Sequence, residues 1–200
     1  MTASPTARPA ATESTRPTAA WRGLLASIDM GSNSFRLEIA QCQGDRYRRV
    51  DYLKETVRLG GGLDAHGMLT EAAMQRGLDC LARFSQRLAG IGAHQVRAVA
   101  TQTLREAANR NAFLDRAQRA LGFPIEVISG REEARLIFAG VARLQPGEGP
   151  RLVIDIGGRS TEMILGTGRV PQRAESFRIG SVSLSMRFFP EGRYTAEAFR

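Results

Sequence analysis

Short apolar runs of strand length alternate with longer stretches of helical spacing along this chain. Leu24 to Gln41 carries two apolar runs around a small-residue turn, which predicts a β-hairpin. Arg46 to Tyr52 predicts a third strand, and Thr56–Leu63 reads as a flexible glycine loop. From Thr70 to Leu88 the residues Ala73, Met74, Gly77, Leu78, Leu81, Phe84, Ser85 and Leu88 recur at helical spacing. Thr70 suits the N-cap, Glu71 the first turn, and Gly90 and Gly92 close the helix. Val96–Thr101 predicts a strand running into a helix at Gln102–Asn109. A helix at Ala112–Leu121, a strand at Pro124–Ile128 and a helix at Arg131–Leu144 follow. A second hairpin spans Leu152–Leu165, then come a turn at Gly166–Gly168, a strand at Ala174–Arg178 and an amphipathic helix through Phe188. Ala196–Arg200 reads as the start of one more helix. Strands alternating with helices place the chain in the α/β class.

The two hairpins share a pattern. Asp29-Met30-Gly31-Ser32-Asn33-Ser34 and Asp155-Ile156-Gly157-Gly158-Arg159-Ser160 both read D-x-G-x-x-S, each between two apolar runs. Turns of such small residues let backbone N–H groups approach an anion closely, and a carboxylate leaving the preceding strand calls for a divalent cation to offset the repulsion. Glu162 lies just past the second turn, within reach of the same ion or its water. One copy is weak, and two glycine turns capped by aspartates are its plain alternative; the duplication favours a phosphate site.

These hairpins, together with Ile128-Ser129-Gly130-Arg131-Glu132-Glu133-Ala134-Arg135-Leu136 and Thr161-Glu162, resemble the exopolyphosphatase/guanosine-pentaphosphate phosphohydrolase family of the actin-like ATPase superfamily. The resemblance runs from about Ala26 to the end of the chain. It implies an actin-like ATPase (ribonuclease H-like) fold with a first lobe at 22–130 and the beginning of a second at 131–200, relatives being longer. It further implies Mg²⁺-dependent release of terminal orthophosphate from polyphosphate. On that basis Glu133 aligns with the general base, although acids at 132 and 133 also suit any helix N-terminus. Asp29, Asp155 and Glu162 would hold the metal or its waters. Gly31, Ser32, Asn33, Ser34, Gly157, Gly158, Ser160 and Thr161 would cradle phosphate, with Arg105 on the polyanion beyond. The glycine loop at 60–62 would border the cleft, though a plain connector is equally compatible. Guanosine pentaphosphate hydrolysis and a non-catalytic polyphosphate-binding module are the alternatives. Family members often dimerise through regions beyond these 200 residues.

Arg159 departs from the family, where a small residue is usual. It falls on Asn33 in the internal alignment, and arginine tolerates left-handed backbone poorly. The expectation is that Arg159→Gly retains or raises activity unless the guanidinium is itself a phosphate ligand.

Composition adds bounds. Residues 1–21 lack apolar periodicity and are expected to be disordered. The net charge of +8, nearly all the positive part of it arginine, suits a polyanionic partner and equally a basic solvated surface. Two cysteines, Cys42 and Cys80, offer no disulfide framework and fit a reducing cytosol, with Cys80 as a core residue. No apolar run approaches the roughly 18 residues of a membrane span.

Overall fold

The computed structural model describes residues 23–43, 46–189, 191–197 and 199; the expected disorder of residues 1–21 lies outside them. Two sheets organise the chain. The first has five strands in the order β3-β2-β1-β4-β5: β1 (Leu25–Met30), β2 (Ser34–Gln43), β3 (Arg46–Thr56), β4 (Val96–Ala100) and β5 (Ile125–Val127). The pairs β1/β2 and β2/β3 are antiparallel, while β1/β4 and β4/β5 are parallel. The parallel pairs need crossovers, supplied by α1 (Glu71–Arg87) and by α2 (Gln102–Glu106) with α3 (Arg110–Leu121). The second sheet is an antiparallel meander of β6 (Pro150–Ile156), β7 (Thr161–Thr167) and β8 (Val170–Phe177). It is preceded by α4 (Gly130–Leu144) and followed by α5 (Ser181–Phe188).

Strand alternation separates core from site. On β1 and β2 the residues Ala26, Ile28, Met30, Phe35, Leu37 and Ile39 are buried on one face, against α1 and α3. The intervening Asp29 and Arg36 therefore point to the other face. Helix α1 starts at Thr70, whose hydroxyl accepts from the Ala73 N–H, and buries Leu81, Phe84 and Cys80 completely. Side chains of this kind stabilise by roughly 1.5–3 kcal/mol each for Leu and Phe. Gly77 brings α3 close: a Cβ there would lie 3.0 Å from Phe113 Cζ.

A second core joins Ala134, Phe138 and Ala142, four residues apart on α4, to Val153 and Ile164. The opposite face of this sheet stays exposed, with Leu152, Ile154, Ile156 and Leu165 on it.

Five sequence expectations need correction, two of them simple bounds: β8 begins at Val170 and not at Ala174, and α2 stops at Glu106, short of Asn109. Strand β3 runs on to Thr56, four residues past Tyr52, because Asp51 to Thr56 remain paired with Ser34 to Ile39. Gly60–Gly62 is no flexible loop but a tight helical turn with Gly60 and Gly62 buried. A Cβ on Gly62 would sit 2.1 Å from Ala73 Cβ, so the glycine is needed for packing. Ala196, Glu197 and Phe199 lie in turns and not in a helix.

Candidate active site

Both hairpin tips open on one cavity of about 170 Å³. Gly31, Ser32, Asn33 and Ser34 line it from the first sheet, and Gly157, Gly158 and Ser160 from the second, so seven of the sequence-assigned phosphate residues share one wall. The tips are built alike. A Cβ on Gly31 would lie 3.0 Å from the Ser34 carbonyl oxygen, and one on Gly157 equally 3.0 Å from that of Ser160. Glycine is what lets each turn close.

In each tip the carbonyl oxygens are engaged from outside. The Gly60 N–H donates to Ser32 O and the Arg58 N–H to Asn33 O, both at 2.8 Å. In the second tip, Ser181 N–H donates to Gly157 O at 2.9 Å, and Val182 N–H to Gly158 O at 2.7 Å, as α5 begins. Drawing carbonyls away is what a backbone nest for an anion requires. Arg58 reaches its bond from left-handed backbone at φ 53°, a strained setting for an arginine beside the site.

Asp29 and Asp155 line the cavity from the ends of β1 and β6. Burial raises the Asp29 pKa and the Asp155 charge adds to that, while Arg36, 3.1 Å away, opposes both. Among the described residues no three His, Cys, Asp or Glu side chains gather as a metal cage. Two hard carboxylates facing an anion nest nonetheless fit Mg²⁺, which takes one or two protein carboxylates and fills its shell with phosphate oxygens and water.

Glu133 lines the cavity from the first turn of α4. Ser129 caps this helix, its hydroxyl accepting from Glu132 N–H at 3.2 Å. The two acids then part ways. Glu132 turns outward to Arg135 at 2.7 Å, which holds its pKa low. Glu133 turns inward, where burial first and the nearby Glu162 charge second push its pKa up to about 7, against the opposing pull of Arg105. Arg105 donates to it at 2.8 Å and also to Ile128 O at 2.9 Å.

Three assigned residues are not brought to the cavity wall. Glu162 is 1 % exposed, beneath the start of α4, and accepts from the Ser176 hydroxyl at 2.8 Å. Burial raises its pKa, and it is not among the residues that line the cavity. Thr161 donates its hydroxyl to Ile179 O at 2.6 Å. Arg105 faces Glu133 on one side and, on the other, a separate groove with Arg131 and Arg178. Arg159 also leaves the cavity, its side chain reaching Glu106 at 3.0 Å and Gly60 O at 3.1 Å. Among the described residues Arg58 is the only non-glycine with positive φ, so the strain expected at Arg159 is absent.

Sequence reasoning missed Arg36, Lys54, Thr101 and Ser181 on the wall. Arg36 was accessible, because hairpin register sets it opposite Asp29, with Lys54 opposite it in turn. The same register sets Glu162 opposite Asp155, so one hairpin carries a cation where the other carries an acid.

An α/β fold with two phosphate-type hairpin turns on one cavity resembles members of the actin-like ATPase superfamily. The family follows from comparison: residues 39–200 match the Ppx/GppA phosphatase family, and the chain belongs to it. A Cytophaga hutchinsonii exopolyphosphatase structure superposes with a TM-score of 0.77 at 36% identity, covering 84% of this chain and 54% of that one. The Aquifex aeolicus PPX-GPPA enzyme gives 0.72 at 34%, covering 83% and 56%. A Vibrio vulnificus guanosine-5'-triphosphate,3'-diphosphate pyrophosphatase is 46% identical over 176 residues, 88% of this chain and 35% of its own length. The chain thus spans about a third to a half of the relatives it matches. Among the described residues no helix is long and apolar enough to cross a membrane.

Proposed function

We propose that this chain carries the phosphate-cleaving site of an exopolyphosphatase, releasing terminal orthophosphate from polyphosphate by hydrolysis. The observation that carries it is Glu133 on the wall shared by both phosphate turns, with a pKa near neutrality. A base poised there exists in part as carboxylate at working pH and accepts a proton from an attacking water as the water adds to phosphorus. Arg105 holds the Glu133 carboxylate in one orientation through its 2.8 Å bond. The N–H groups of Gly31–Ser34 and Gly158–Ser160 cradle the terminal phosphoryl oxygens, while Arg36 opposes the rise that burial imposes on the Asp29 pKa. Asp29 and Asp155 would hold Mg²⁺, which when bound neutralises phosphate charge. Glu162 supports the site from behind by raising the Glu133 pKa. Residues 131–200 are read as the beginning of a second lobe, and a cytoplasmic setting suits free Cys42 and Cys80, the latter buried with its thiol pushed up to about 12.

Guanosine pentaphosphate is the second reading, favoured by the names of the Vibrio relatives. Orthophosphate release from long-chain polyphosphate and from guanosine pentaphosphate, with Mg²⁺ and with chelator, separates the two. Faster Mg²⁺-dependent release from polyphosphate supports the first reading, and preference for the nucleotide the second. Tight polyphosphate binding without turnover would indicate a binding module and contradict both.

A further inference from the structure

Arg159 sits in the second phosphate turn, yet its side chain runs away from the cavity into a continuous chain of hydrogen bonds that ends on Glu133. Its Nε donates to Glu106 Oε2 at 3.0 Å, and a second guanidinium nitrogen lies 3.0 Å from the same oxygen. Glu106 Oε1 accepts from Gln102 Nε2 at 2.6 Å. Gln102 Oε1 in turn accepts from Arg105, through Nε at 3.0 Å and a terminal nitrogen at 2.6 Å. Arg105 finally donates to Glu133 at 2.8 Å. Donors and acceptors alternate without conflict, and the amide of Gln102 can serve only one way round between an acid and a guanidinium.

The charged members are shielded: Arg159, Glu106, Arg105 and Glu133 side chains are 20%, 25%, 18% and 15% exposed. A network so screened polarises along its length and resists partial disruption. Arg159 is tied to the first phosphate turn as well. It donates to Gly60 O at 3.1 Å, and the Gly60 N–H donates to Ser32 O at 2.8 Å. The turns also touch directly, since a Cβ on Gly158 would lie 3.2 Å from Ser32 Cβ.

Resting on the hydrolase reading above, we infer that Arg159 is a positioning residue, coupling the approach of the two phosphate turns to the orientation of Glu133 through Glu106, Gln102 and Arg105. Glu106 and Gln102 are relay members that need not touch substrate. The expectation that Arg159→Gly retains or raises activity rested on backbone strain that the turn does not have; the relay makes that substitution costly.

The test uses Arg159→Gly, Arg159→Lys, Glu106→Gln and the double variant Arg159→Gly/Glu106→Gln in the full chain, with two readouts. The first is the Arg105 Nε–H signal by NMR, which needs no activity. Its exchange with water is expected to quicken about tenfold in Arg159→Gly and in Glu106→Gln. The second is steady-state kinetics on polyphosphate. Here kcat is expected to fall about tenfold with KM within about twofold, the double variant to be no worse than either single one, and Arg159→Lys to recover part of the loss. An unchanged Arg105 signal in Arg159→Gly overturns the relay. A changed signal with additive losses, or with only KM moved, overturns its role in positioning Glu133. If the parent releases orthophosphate from neither substrate, the hydrolase reading fails and the Arg105 signal alone decides whether the relay exists.

Discussion

Replacing Arg105 with glutamine is expected to shift the pH dependence of turnover upward. In the parent, Glu133 titrates near 7, because burial and Glu162 raise it while Arg105 pulls it down. A base with that pKa is about one-eleventh ionised at pH 6 and ten-elevenths at pH 8, so kcat rises about tenfold across the interval. A guanidinium in hydrogen-bond contact lowers a carboxyl pKa by roughly 1–3 units, so its removal moves the limb to about 8 or above. At pH 7 that leaves about a fifth or less of the parent's ionised base. The assay is initial orthophosphate release at saturating polyphosphate and one fixed Mg²⁺ concentration, from pH 5.5 to 9.5. The terminal phosphate of the substrate also titrates near neutrality, but its limb stays put when a protein residue changes. A cation held at Asp29 and Asp155 would lower both profiles together, so the displacement between them carries the test. A limb that does not move, or moves down, in Arg105→Gln refutes the assignment of Glu133 and its pairing.

Glu133 also makes a stability prediction with a defined sign. Its folded pKa, about 7, lies above the ordinary 4.5, so the native state holds the proton more tightly than the unfolded chain between those values. Parent stability therefore falls as pH rises from about 4.5 to 7, by on the order of 2–3 kcal/mol, and Glu133→Gln lacks that slope. Melting both proteins at pH 5 and pH 8 is expected to show the variant gaining on the parent at the higher pH; parallel curves contradict the burial argument. Gly62→Ala is expected to cost at least about 1–3 kcal/mol, since its Cβ would fall 2.1 Å from Ala73 Cβ and α1 must shift. Urea unfolding with a loss below about 0.5 kcal/mol would show that the turn at 60–62 yields.

Periodicity made most of the fold legible, because alternation in β1 and β2 and the spacing in α1 reflect one buried face each. The twin D-x-G-x-x-S turns were visible because the chain repeats them. What stayed hidden depends on contacts between elements distant in sequence. Gly60–Gly62 looked flexible because glycine carries no sign of what packs against it, here Ala73, Thr103 and Arg159. Arg159 looked like an obstacle to a phosphate because its partner Glu106 lies 53 residues away. Glu162, assigned to the metal or its waters, is 1 % exposed and off the cavity wall, which a pattern of sequence positions does not convey. Arg36 shows the opposite case, since hairpin register alone sets it beside Asp29.

In the proposed reaction Glu133 activates water against a phosphoryl group held between the two turns. Orthophosphate release from long-chain polyphosphate with Mg²⁺, parent against Glu133→Gln, tests it most directly. Release by the parent and a loss of about 10²–10⁴-fold in the variant, with polyphosphate binding retained, are expected. Equal release by the two proteins would contradict this role for Glu133.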